Sequence, residues 1–98
     1  MYEGSLTADG STEWRVVQSE EGVKFSVKGD FGGGEITVEQ QIMGVAYAAQ
    51  TNSKAPIEEF GPFDRIVKFA RGDKVRITLS GSTSPNLVFS ITGAIHAV

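Results

Sequence analysis

Apolar and polar residues alternate with period two along most of the chain, the signature of strands that bury one face. Val23, Phe25 and Val27 alternate with Lys24, Ser26 and Lys28. The run Gly29-Asp30-Phe31-Gly32-Gly33-Gly34 breaks the pattern, and Ile36, Val38 and Ile42 resume it against Glu35, Thr37, Glu39 and Gln41. This predicts a β-hairpin closed by a glycine-rich turn, where positive φ costs little. Val75, Ile77 and Leu79 form a further run. Gly72-Asp73 is a turn signal joining it, as a second hairpin, to residues 65–71, where Val67 and Phe69 are expected to face inward. After a turn over residues 80–86, the last run sets Leu87, Phe89, Ile91 and Ile95 on one face and Val88, Ser90, Thr92, Ala94 and His96 on the other.

Shorter signals lie elsewhere. Trp14, Val16 and Gln18 offer a brief alternation, and residues 5–8 suit pairing along an edge. Residues 42–50 read as a strand through Val45, Tyr47 and Ala49, rather than a helical turn, because Gly44 interrupts them. Residues 52–62, with two prolines and a Glu pair, read as a long loop. No window sustains a 3.6-residue period. Seven or eight short strands with turns every ~8–12 residues predict an all-β fold, an antiparallel β-sandwich of jelly-roll or immunoglobulin-like type. The expected core is Val23, Phe25, Val27, Ile36, Val38, Val75, Ile77, Leu79, Phe89 and Ile91.

At 98 residues the chain is expected to form one domain over residues 1–98, since domains typically run ~100–150 residues. Hydrophobic residues at 40% and charged residues at 21% are too apolar a mixture for disorder. There are no cysteines, which removes disulfides, thiolate catalysis and Cys-ligated zinc, and points to synthesis in a reducing cytosol. The N-terminus lacks the basic region and apolar run of a signal peptide, and no apolar stretch is long enough to span a membrane. The initiating Met leads to the expectation of a whole gene product.

Candidate chemistry is sparse. His96 is the only histidine and sits too near the C-terminus to be held as a triad base requires; it reads as a surface or subunit-contact residue. Glu20-Glu21 and Glu58-Glu59 are adjacent, so on extended chain each pair splits to opposite faces, unlike the convergent carboxylates of glycoside hydrolysis. Asp9-x-Ser11-x-Glu13 opens like an EF-hand loop, but Trp14 stands where that loop needs Gly; an irregular calcium site at Asp9 or Asp30 is the weaker alternative. The triplet Gly32-Gly33-Gly34 lacks the spacing and following helix of a phosphate loop. Arg71-Gly72-Asp73 spells an adhesive triplet, yet Gly-Asp is also the turn the next strand needs. These readings favour a non-enzymatic protein with no cofactor and no metal.

Charge is unevenly distributed. Residues 1–60 carry four Lys/Arg and ten Asp/Glu, a balance of −6, and residues 61–98 carry five and two, a balance of +3, which sum to the net −3. Arg65, Lys68, Arg71, Lys74 and Arg76 make a basic segment. It reads as a solvated sheet face or as a docking surface for an acidic protein, including a neighbouring copy's N-terminal half. Direct nucleic-acid binding is not expected, because the chain is acidic and the nearby aromatics, Phe63 and Phe69, fit core or turn roles rather than stacking platforms.

The segment from Gly22 to Glu39, with its strand, its Gly-Asp-Phe-Gly-Gly-Gly turn and its second Thr/Val strand, resembles small structural proteins of tailed bacteriophages. The closing Leu87-Val-Phe-Ser-Ile-Thr-Gly-Ala-Ile is similar to their final strand. The resemblance covers these two segments and consists of turn glycines and strands. It implies a virion structural protein with a β-sandwich fold, made in the host cytoplasm and located in the virion. In that family such chains are head decoration or cement proteins, head fibres or tail parts, and often homotrimers. The partners it implies are further copies of the chain, the major capsid protein or another virion protein, with no nucleic acid and no membrane. A carbohydrate- or receptor-binding module, with Trp14, Tyr2 or Tyr47 stacking on sugar, is the alternative. Independently of the family, the apolar C-terminus, Ile95, His96, Ala97 and Val98, is unlike a fraying end and is expected to be tied into a sheet or against another subunit. Ile95, His96 and Val98 therefore join the basic segment as candidate protein–protein contacts.

Overall fold

In a computed structural model, which describes residues 1–51 and 53–98, the chain forms eleven strands and no helix among the described residues. They are β1 (Tyr2–Leu6), β2 (Gly10–Ser11), β3 (Arg15–Val17), β4 (Val23–Asp30), β5 (Glu35–Ile42), β6 (Val45–Ala48), β7 (Glu58–Glu59), β8 (Phe63–Val67), β9 (Lys74–Ser80), β10 (Asn86–Thr92) and β11 (Ile95–Ala97). Two antiparallel sheets pack into a sandwich. One has the order β1-β10-β4-β8. The other runs β11-β3-β9-β5-β6, with β2 also on β9 and β7 also on β5. The excess over the seven or eight strands expected comes from pieces two or three residues long, too short to show a period.

Alternation builds the core. From the four-stranded sheet come Val23, Phe25, Val27, Leu87, Phe89 and Ile91; from the other come Val17, Ile36, Val38, Val75, Ile77 and Leu79. All of the expected core residues are buried. Phe69 is buried as well and meets Phe25 edge-on at 6.2 Å between ring centroids, while Val67 is half-buried.

Three expectations are corrected. The glycine-rich segment does not close a hairpin: β4 pairs with β10 and β8, β5 pairs with β9, and the chain crosses from one sheet to the other. Its glycines serve close packing, because a Cβ on Gly29 or Gly32 would collide with the carbonyl oxygen of Asn86 or Thr83. Likewise β8 and β9 lie in different sheets, so Gly72-Asp73 turns an arch rather than a hairpin. In β3 the buried residue is Val17, one position from the predicted phase, and Val16 is only half-buried. The residues that do make a tight hairpin are Met43 and Gly44, both at positive φ (50° and 79°), between β5 and β6. The predicted loop over residues 52–62 starts at Asn52, outside the described residues. The rest of it contains the buried Ile57 and the short β7.

Candidate functional site

The sandwich has two open sides, and an arginine spans each. Arg15 on β3 shares the inward phase of Val75, its cross-strand partner. Its guanidinium lies 3.8 Å above the ring of Tyr2 on β1, a cation–π contact between the two sheets. Tyr2 itself packs edge-on against Phe89 at 5.2 Å, and its hydroxyl accepts the Glu13 N–H. On the opposite side Arg65 shares the inward phase of β8 and donates to Glu59 on β7 at 3.2 Å.

The five basic residues therefore do not make one surface. Arg65 is spent on the inter-sheet ion pair. Arg76 points to the outer face of the seven-stranded sheet, donates to Glu39 at 2.7 Å and lies over the Trp14 ring at 4.2 Å. Glu39 also accepts from Thr78 Oγ1 at 2.5 Å. Lys68 and Arg71 are exposed, in the segment linking β8 to β9. Lys74 lies in line with the C-terminal strand, one strand removed: Val16 is cross-strand partner to both Lys74 and His96, so the three form a row on the outer face. Lys74, Ala97 and Val98 border a shallow pocket with Glu13, Trp14 and Arg15. Ile95 packs against the core, whereas His96 and Val98 are exposed. Of the two ways to secure an apolar terminus, the structure thus shows pairing in a sheet, on β3.

The carboxylates singled out in the sequence hold turns together. Asp9 accepts from the Gly81 and Ser82 N–H groups and from the Ser82 hydroxyl. The Ser82 hydroxyl and N–H hold the Asp9 carboxyl below its ordinary range. Asp30 accepts the Gly32 N–H at 2.8 Å. Asp73, the acidic member of the adhesive triplet, folds back to accept the Ala70 N–H at 3.1 Å. Glu58 lies beside Glu35; a shared hydrogen bond and mutual repulsion push its carboxyl up. No group of three or more His, Asp or Glu side chains gathers among the described residues. No buried side-chain N or O among them lacks a hydrogen-bond partner.

One surface has no counterpart in the sequence reading. Residues of β6 pair with β5 through Gln40↔Tyr47 and Ile42↔Val45. The phase that buries Ile36 and Val38 therefore continues through Gln40 and Ile42 to Val45 and Tyr47. The hairpin projects beyond the facing sheet, and this inward-phase apolar strip is uncovered: Ile42, Val45 and Tyr47 are each about half exposed, and Met43 at the tip is 98% exposed. The signal was in the alternation of residues 42–49, which fixes the face but not where the covering sheet ends.

No protein-family model, no curated protein and no solved structure matches the chain.

Proposed function

We propose that this chain is a structural protein of a bacteriophage virion, a decoration or cement protein that coats or stabilises the head, and that it works as a homo-oligomer without catalysing a reaction. The observation that carries this reading is how the sandwich uses its polar groups. Arginines, carboxylates and hydroxyls close the open sides and pin the turns, and among the outer strands β6 presents an apolar edge free of charged residues. Such an edge suits assembly. The likeness of the Gly22-to-Glu39 segment and of the last strand to phage structural proteins supplies the virion setting.

The carbohydrate- or receptor-binding alternative draws less support. Its three candidate aromatics stand apart: Trp14 lies under Arg76 on one outer face, Tyr2 lies under Arg15 at one side, and Tyr47 stands at the far edge of the seven-stranded sheet.

Particles produced from the genome that encodes the chain, banded by density and analysed by peptide mass spectrometry, test the proposal. The chain is expected in the particle band at a stoichiometry comparable to the major capsid protein. Its recovery only in the soluble fraction would remove the virion assignment.

A further inference from the structure

We propose that two copies of this chain pair through β6, antiparallel about a two-fold axis beside Tyr47, so that the seven-stranded sheet continues from one copy into the next. This specifies the contact behind the self-association part of the reading above and rests on that part alone.

The edges of the two sheets differ. The outer strands of the four-stranded sheet carry charge, Glu3 on β1 and Asp64 with Arg65 on β8. Charge is the usual way an edge is kept from pairing. β6 reads Val-Ala-Tyr-Ala, and the whole run from Gln40 to Ser53 is free of charged residues, in a chain that is 21% charged. A copy of the same strand can therefore approach with no ionic repulsion and no charge to desolvate.

The backbone is presented for pairing. The Ala49 N–H donates to Val38 on the β5 side at 2.8 Å. Strand alternation then turns Val45 and Tyr47 toward β5 and leaves the N–H and C=O of Ala46 and Ala48 directed at the free edge. Antiparallel pairing about Tyr47 sets Ala46 opposite Ala48 of the second copy, and Ala48 opposite its Ala46. All four outward groups of each strand are then satisfied, and the outer-face side chains at the seam are methyl groups, which admit close approach. Tyr47 meets Tyr47 at the closely spaced, non-hydrogen-bonded position, where aromatic pairs are favourable.

The apolar strip supplies the driving force. Ile42, Val45 and Tyr47 of both copies share one side of the continuous sheet, where each strip extends the other and their rings and branched side chains shield one another from water. β11, the other outer strand of that sheet, lies parallel to β6 in the ladder. A head-to-tail contact between β11 and β6 would add a parallel pair to a sheet that is antiparallel throughout, and parallel pairs are the weaker kind. A single four-residue strand and its strip form less than a standard interface of ~800 Å² per partner, so a dissociation constant of roughly 10–100 µM is expected.

Sedimentation equilibrium of the full chain, from about 5 µM to about 500 µM, reads the contact across the expected dissociation range. The wild type should pass from monomer to dimer. Tyr47→Lys, which places two ammonium groups opposite each other, should weaken dimerisation at least about tenfold with its circular dichroism unchanged. In this cysteine-free chain Tyr47→Cys should form a disulfide-linked dimer on air oxidation, whereas Val88→Cys, on the outer face of the other sheet, should remain monomeric; this arm does not depend on Tyr47→Lys folding. A monomer throughout would overturn the β6 contact. So would a dimer or trimer that ignores Tyr47→Lys and yields no disulfide cross-link in the Tyr47→Cys variant. A trimer of that kind would leave self-association standing, and the virion assignment is decided separately by particle mass spectrometry.

Discussion

Phe25 is fully buried and touches Phe69 edge-on, while Phe89 supports Tyr2 from the same sheet. Truncating either ring to Ala leaves a cavity that the surrounding sheets cannot fill, so a loss of ~3–5 kcal/mol is expected, read by urea unfolding. The titrating groups give a second test. Asp9 and Asp64 are held below their ordinary value of 3.8, Asp9 by Ser82 and Asp64 by Lys28 and Ser26. A carboxyl that is more acidic folded than unfolded adds stability above its unfolded value, and this is lost as pH falls through the lowered folded value. Glu58, raised above 4.5 by Glu35, works the other way: its folded form holds a proton longer, so stability declines as pH rises from 4.5 through the raised value. Thermal melts between pH 2 and pH 7 should therefore show Asp9→Asn flattening the acid limb. Glu58→Gln should remove the decline above 4.5 and leave a protein at least as stable at neutral pH. Single-residue facts of this kind were legible only where alternation reports burial. Phe31 and Ile57, buried within irregular segments, carry no such signal, and Val17 was missed because a three-residue strand is too short to fix its phase.

At the scale of elements, period two located the main strands but not their partners. A strand inside a sandwich alternates identically whether its neighbour in sequence lies beside it or across the core. The useful distinction was in the turns. Met43-Gly44 is a two-residue link with both residues at positive φ, the geometry that folds a strand back onto its neighbour. The longer glycine segment after β4 instead carries the chain between sheets and packs its backbone against residues 80–86, with the Thr83 N–H bonded to the Gly32 carbonyl at 2.9 Å. Gly32→Ala should therefore destabilise the arch by more than about 1 kcal/mol, through the positive φ of 59° and the collision with Thr83 together. Gly33→Ala, which shares a positive φ but has open space around it, should cost less. Equal losses at the two positions, measured by chemical denaturation, would show that backbone strain alone sets the cost.

For the whole molecule, the −6 and +3 balances of the two chain segments invited a picture of copies attracting one another through opposite halves. The topology interleaves those segments instead. β9, from the basic part, lies between β3 and β5 from the acidic part. The ion pairs Lys28–Asp64, Arg65–Glu59 and Arg76–Glu39 all join one segment to the other within the same chain. Charge asymmetry along a sequence becomes asymmetry in space only when the fold keeps the segments apart, and here it does not. Arg65→Glu should accordingly weaken folding, by setting like charges against each other across the sheets at Glu59, while the exposed Lys68→Glu should leave stability nearly unchanged. The same neutralisation decides how self-association responds to salt. Contacts driven by complementary surface charge weaken as the screening length contracts, from about 14 Å to about 4 Å between roughly 0.05 and 0.5 M. Contacts built from backbone pairing and an apolar strip do not, and sulfate strengthens them by its exclusion from apolar surface. The dimer is expected to hold its dissociation constant within about twofold across that sodium chloride range, and to tighten in sodium sulfate at equal ionic strength. A dissociation constant that rises tenfold or more with sodium chloride would return the leading role to Lys68, Arg71 and Lys74, the basic side chains of that segment outside its ion pairs.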